Sequence, residues 1–278
     1  MGRFQRSIEL AKSSWSVIRS DRELLVLPVL SFLAAAAVGL VAFGLVIIAD
    51  YDSAAGWEEF EIGPGGAIIL VVAFAAIAIV TTFFQAALIS GARERLTGGD
   101  PTIGSAIGAA MSRIGLIIPW ALFNFTVGML LRAIDERAGV LGRFVVGLLS
   151  MAWNVITFLT VPIIVFEELG PFSAFRRSTE LLRNTWGENL AAQIGLGLIG
   201  FIAVLPGLIV GGLLVATGTI AAVAVGVVIL VMWIAAVMVV MTALTAVYQT
   251  ALYEYATTGV VPQAFNSAGL DQAFDARR

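Results

Sequence analysis

The sequence predicts an all-α polytopic membrane protein: six transmembrane helices in three parallel repeats, each an interfacial amphipathic helix followed by a helical hairpin. Three observations predict it. Of 278 residues, 59% are hydrophobic and 13% charged, with a mean hydropathy of +0.98. A soluble domain carries about 45–50% apolar and about 25% charged residues. Six apolar runs reach the roughly 20 residues that a helix needs to cross hydrocarbon. A ten-residue signature occurs twice, each time just ahead of one such run.

The expected spans, in order, are Leu24 to Ala49, Gly65 to Ser90, Ile114 to Ala133, Val140 to Phe166, Leu190 to Ala216 and Ile220 to Tyr248. Hydrocarbon offers a backbone no hydrogen bonds, so such runs become helices or closed barrels. They lack the period-two alternation of barrel strands, which selects helices. Asp50, Asp52, Glu58, Glu59 and Glu61 separate the first two spans, whereas only Ala216-Thr217-Gly218-Thr219 separates the last two. No small-residue cleavage site follows the first run, so it reads as a retained span. Pro28, Pro119, Pro162 and Pro206 lie in or at spans and are expected to kink them.

Orientation follows from the basic residues near span ends. With the N-terminus in the cytoplasm, 13 of the 16 Lys and Arg residues fall inside, and only Arg132, Arg137 and Arg143 fall outside. We therefore expect a multi-pass protein of a prokaryotic plasma membrane with both termini cytoplasmic.

The repeat is written at residue level. Residues 6–15 read RSIELAKSSW and residues 177–186 read RSTELLRNTW. Arg6, Glu9 and Trp15 recur as Arg177, Glu180 and Trp186, together with the Ser and Leu between them. Phe4, Ile8, Ala11 and Trp15 share one helical face, as do Phe175, Thr179, Leu182 and Trp186. Ile103, Ile107, Ala110 and Ile114 repeat the spacing without the signature. The units are therefore 1–99, 100–170 and 171–262, forming one integral membrane domain at 1–262, with a polar cytoplasmic tail at 263–278. Asp100-Pro101 is expected to cap the second unit and Gly170-Pro171 the third. Two crossings per unit return the chain to the same side, so the repeats are parallel. The apolar stripes either pack on span ends or contact the lipid surface. Gln85-Ala86-Ala87-Leu88 parallels Gln249-Thr250-Ala251-Leu252, and each is followed by a Thr-Gly pair.

Composition also limits the chemistry. The chain has no Cys and no His, which removes disulfides, thiolate nucleophiles, imidazole bases and the usual zinc and haem ligands. No charged residue falls deep in an expected span, against the habit of proton pathways. No catalytic, cofactor-binding or metal-binding residue is assigned, no cofactor is expected, and no nucleic-acid signature occurs. Asn124 and Asn154 are the candidate intramembrane polar pair, either glue between helices or part of a polar cavity wall. Thr81, Thr82, Gln85, Thr157, Gln193, Thr242 and Thr245 are further polar positions in spans. Glu167, Glu168, Arg176 and Arg177 form a cytoplasmic cluster, either a solvated ion-pair face or a site for a partner or lipid headgroup.

Pro162-Ile163-Ile164-Val165-Phe166-Glu167-Glu168, then Gly170-Pro171 and Phe175-Arg176-Arg177-Ser178, with a Trp-bearing interfacial helix ahead of two spans, resembles an uncharacterised family of prokaryotic six-helix integral membrane proteins. That family is similar to the membrane domain attached to some bacterial glycerophosphodiester phosphodiesterases. The resemblance covers essentially the whole chain and is most specific over about 160–186. The phosphodiesterase chemistry belongs to a separate soluble barrel that uses acidic residues and His, for which this chain has neither the His nor the room. The resemblance thus implies a membrane module without that chemistry.

The expected function is a non-catalytic scaffold, assembly factor or oligomeric component of the plasma membrane. The alternative is a transporter or channel for a lipid or other weakly charged small solute. Expected partners are membrane lipids, a second copy of the chain or other membrane proteins. Because the chain is free of Cys, a Ser53→Cys variant reports orientation directly. An impermeant thiol reagent should label it from outside the cell, and labelling from the cytoplasm alone would reverse the topology.

Overall fold

The structure, a computed structural model, describes residues 3–50, 61–183 and 186–265, and of 3–7, 22 and 186–192 the backbone alone. No strand occurs among the described residues. Helix α1 (Arg3–Ser20) leads through a 3-10 turn (Arg22–Leu25) into α2 (Val26–Asp50). Then come α3 (Pro64–Leu96), α4 (Ile103–Ser112), α5 (Ile114–Arg137), α6 (Val140–Thr157), α7 (Thr160–Glu167), α8 (Pro171–Leu182), α9 (Trp186–Ala216) and α10 (Ile220–Thr258). Taking α6 and α7 as one interrupted helix, six helices are long and apolar enough to cross a membrane. The order short helix, long helix, long helix runs three times along the chain.

Two spans are longer than their apolar runs suggest. Helix α3 has 33 residues and α10 has 39, or roughly 50 and 58 Å at 1.5 Å per residue. A bilayer's hydrocarbon is only about 30 Å thick. The excess of both helices enters a packed base, where the protein buries its core. Ala86, Ala87 and Ala92 of α3 are fully buried, as are Ala243 and Ala251 of α10, Ile163 of α7 and Ala174 of α8. Small side chains let these backbones approach closely. Away from the base, α2, α5, α6 and α9 leave most of their apolar side chains exposed, a surface far beyond what a water-soluble monomer presents.

Two of the hairpins are fastened away from the base. The Asp50 carboxylate accepts hydrogen bonds from the Gly63 and Gly66 N–H groups, each at 2.9 Å. A carboxylate there satisfies orphan donors at the α3 N-terminus and complements the helix dipole. A Cβ at Gly66 would strike that carboxylate, so the Gly63-Pro64-Gly65-Gly66 run is built as a helix start. In the α9–α10 hairpin, a Cβ on Gly226 would lie 2.9 Å from the Gly211 carbonyl oxygen, and Trp233 Nε1 donates to the Ala203 carbonyl at 2.8 Å.

The cap predicted at Asp100-Pro101 forms two residues later. Thr102 and Ser105 make a reciprocal capping box, and α4 begins at Ile103. Gly170-Pro171 opens α8 as expected. Helices α3 and α10 end alike, with Gly98 at φ 90° and Gly259 at φ 72°, a left-handed conformation that glycine adopts without penalty. The segment expected as a polar tail first buries Phe265 completely; residues 266–278 lie outside the described residues.

The interruption in the fourth span has a specific cause. Pro162 has no N–H to give the Phe158 carbonyl four residues back. Helix α6 ends at Thr157 and α7 starts at Thr160. Gln249 Nε2 of α10 donates to the Phe158 carbonyl oxygen. Gln85 Nε2 of α3 donates to Gln249 Oε1 at 3.1 Å. Ser178 Oγ of α8 donates to the Ile156 carbonyl at 2.5 Å and accepts from the Leu159 N–H at 3.3 Å. Two helices, α8 and α10, thus bond directly to the broken turn, and α3 holds the α10 donor through Gln85.

Gln249→Leu should destabilise the fold by about 1–3 kcal/mol, since it leaves a buried carbonyl unsatisfied. Gln85→Leu should cost less, because it removes only the outer member. Thermal unfolding in detergent, read as a double-mutant cycle, should give a coupling of about 0.5–2 kcal/mol between the two. A coupling of zero would contradict the relay.

Candidate functional site

Two places draw together the residues that the sequence singles out. The first is the base. Arg93 on the last turns of α3 pairs with Glu254 of α10 at 2.7 Å and lies over the Phe166 ring, 4.2 Å from its centroid. Phe166 meets the Tyr253 ring at 5.1 Å. The Tyr253 hydroxyl donates to Glu167 at 3.1 Å, and Glu167 pairs with Arg177 of α8 at 3.5 Å. Glu168, in the left-handed conformation at φ 57°, pairs with Arg113 at the α4–α5 junction. This chain of contacts ties α3, α4, α7, α8 and α10 together.

The four-residue cluster therefore divides. Glu167, Glu168 and Arg177 bind the protein's own helices. Arg176 alone of the four projects outward, its side chain 84% exposed and, among the described residues, paired only with Glu180 one turn on, at 3.2 Å. Glu9 and Glu180, equivalent in the signature, sit differently. Glu180 is exposed and Glu9 is half-buried, with one carboxylate oxygen buried and unbonded among the described residues. The Arg6 and Trp186 side chains lie outside the described residues. Helix α1 buries Leu10, Ser13, Ser14, Val17 and Ile18, a face adjacent to the predicted stripe, while Trp15 is 43% exposed. The first stripe thus turns outward at Trp15 but packs on the core through Ala11, and in the other two copies Ala110 and Leu182 are fully buried with Ile103, Ile107 and Phe175 packed beside them.

The second place is a groove between α5 and α6, about 390 Å³ in volume. Asn124, Gly128, Arg132 and Asp135 line it from α5, and Gly147, Ser150, Trp153 and Asn154 from α6. Asn124 and Asn154 share this wall, but the bond that forms is different: Trp153 Nε1 donates to Asn124 Oδ1 at 2.8 Å. An indole donor beside an amide acceptor satisfies both where water is scarce. The remaining amide groups of the two asparagines face the groove, which widens where Gly128 and Gly147 carry no side chain.

A family of unknown function (DUF6159) matches residues 65–263. The chain belongs to that family. The stretch matched by DUF6159 contains the ion-pair chain, the α5–α6 groove and the fourth-span break, and it leaves out α1 and α2. None of the curated proteins matches the chain.

Sequence reasoning missed Ser178 and Tyr253 as structural anchors. Ser178 carried a signal, since it is the serine of the duplicated signature; Tyr253 carried none, lying beyond the predicted end of the sixth span. Thr81, Gln85, Thr242 and Thr245, noted singly, come together in a crevice of about 510 Å³ between α2, α3 and α10. Among the described residues no group of three His, Cys, Asp or Glu side chains is placed to hold a metal ion.

Arg93→Ala should cost about 1–3 kcal/mol, because Glu254 is largely buried and loses its partner. Arg176→Ala should stay within about 0.5 kcal/mol, the usual worth of an exposed pair one turn apart. Melting temperatures of the two variants in the same detergent check the contrast, and equal shifts would contradict the division.

Proposed function

We propose that this chain is a non-catalytic membrane scaffold or assembly component, held in a prokaryotic plasma membrane with its base on the cytoplasmic side. The observation that carries the reading is the use made of the ionisable groups. Arg93, Arg113, Glu167, Glu168, Arg177 and Glu254 are engaged in fastening helices at the base, away from any place where a proton or a charged substrate would cross. General acid–base chemistry needs such groups poised beside a substrate. Arg95, Arg176 and Arg183 lie at the same end as this network, and Arg132 and Arg143 at the other, which supports the cytoplasmic base.

The three-unit organisation belongs to this proposal. The thrice-repeated element order supports it, as do the matching Thr-Gly ends and the meeting of Gln85 with Gln249. The likeness to the membrane domain of glycerophosphodiester phosphodiesterases is consistent with a module that lends its membrane body to other activities. The surface offered to a membrane partner is the α5–α6 groove, whose amides and Ser150 hydroxyl suit the polar contacts that hold spans together.

A second reading is favoured by that groove's polar lining, namely a path for a lipid or other weakly charged solute. A photoreactive residue at Ser150, introduced in native membranes, separates the two. The scaffold reading expects a discrete adduct with one membrane protein, lost in an Asn124→Leu, Asn154→Leu double variant. Protein that purifies alone with a small solute retained by the groove supports transport and overturns the scaffold.

A further inference from the structure

The crevice between α2, α3 and α10 gathers several hydroxyls that their own helices leave unbonded. A hydroxyl within a helix normally bonds back to a carbonyl one turn earlier. This chain follows the habit repeatedly. Thr82 donates to the Ala78 carbonyl at 2.7 Å, Ser90 to Ala86 at 2.9 Å, Thr126 to Leu122 at 2.8 Å and Thr250 to Ala246 at 2.8 Å. Thr81, on the crevice wall, does the same with Ile77 at 2.8 Å. Ser31, Thr242 and Thr245, on the same wall, make no hydrogen bond among the described residues. Three donors therefore face one apolar space, and the bilayer's hydrocarbon offers them no acceptor.

Their depth points to what supplies it. Ser31 lies ~28 Å along α2 from Asp50, and Thr242 ~33 Å along α10 from Ile220, at 1.5 Å per residue. With about 30 Å of hydrocarbon, both sit near its basal boundary, where a lipid's ester groups lie and its chains begin. Apart from Gln85, whose amide nitrogen is engaged with Gln249, the remaining wall is apolar and adaptable: Pro28, Phe84, Leu88, Met238 and Met241. Methionine conforms to irregular apolar guests. A volume of about 510 Å³ falls within the usual ~300–1,000 Å³ of small-molecule sites.

We propose that this crevice is a binding site for one diacyl glycerolipid of the basal leaflet. Its ester carbonyls accept hydrogen bonds from Ser31, Thr242 and Thr245, and its chain lies along Met238 and Met241. The inference rests on the membrane placement given above and goes beyond it by assigning a ligand class to a site separate from the α5–α6 groove.

The test compares two lipids that differ only in the acceptor. Purified, delipidated protein is titrated with diester phosphatidylglycerol and with its diether counterpart of identical chains and headgroup, and bound lipid is counted by native mass spectrometry. Wild type should bind one diester molecule at least five-fold more tightly than the diether. The Ser31→Ala, Thr242→Val, Thr245→Val variant should lose that preference, and Thr81→Val should keep it. Equal affinity of wild type for both lipids overturns the proposal without recourse to any variant. So does a preference that survives in the triple variant. Failure of the membrane placement itself would show separately, as protein released from cell membranes without detergent.

Discussion

Inside a lipid environment every backbone carbonyl must find a donor within the protein, and Pro162 removes one. The resulting gap at Phe158 organises the middle of the molecule. It divides the fourth span into α6 and α7, and it draws Gln249 and behind it Gln85 from two other spans. It also places Ser178 of α8 against the broken turn. An amide reaching a carbonyl is a modest interaction in water. In a water-poor interior the alternative is an unsatisfied group, so the same bond fixes which helices meet and at what height.

Below that level the logic changes from hydrogen bonds to close packing and ion pairs. Alanines on α3 and α10 bring the two longest helices together. The Arg93–Glu254 pair, the Arg93–Phe166 contact and the Tyr253–Glu167–Arg177 series then close the base around them. Away from the base, the α2–α3 and α9–α10 hairpins are each closed by their own device, a carboxylate cap in one and apposed glycines in the other. The α5–α6 hairpin has neither and keeps a polar groove instead.

Much of the fold was legible in the sequence because hydrophobic length is a local property. All six apolar helices were foreseen, as were the short helices ahead of them and the Pro171 start. Less legible were features that depend on distant residues. The ends of α3 and α10 were underestimated because Arg93 and Glu254 look like boundary charges until their pairing is seen. Arg176 and Arg177 are neighbours of the same type, and only the packing of α8 turns one inward and the other out. Asn124 and Asn154 do share a wall, but the indole of Trp153 was not considered as the partner. Gln85 and Gln249 were noticed as parallels in sequence, though nothing in either segment announced that they would touch. Thr242 and Thr245 showed no more in sequence than the threonines whose hydroxyls bond to their own helices.

The Phe158–Gln249 bond joins residues 91 positions apart. At synthesis rates of ~5–20 residues per second, the nascent fourth span waits roughly 5–20 s before its donor leaves the ribosome. The helical break must therefore stand without this donor for that interval, and the α6–α7 break is tied to α10 only when the final helix arrives. Translation that stalls before residue 249 leaves the Phe158 carbonyl without its Gln249 donor, so a truncated chain lacks the bond that ties the broken helix to α10.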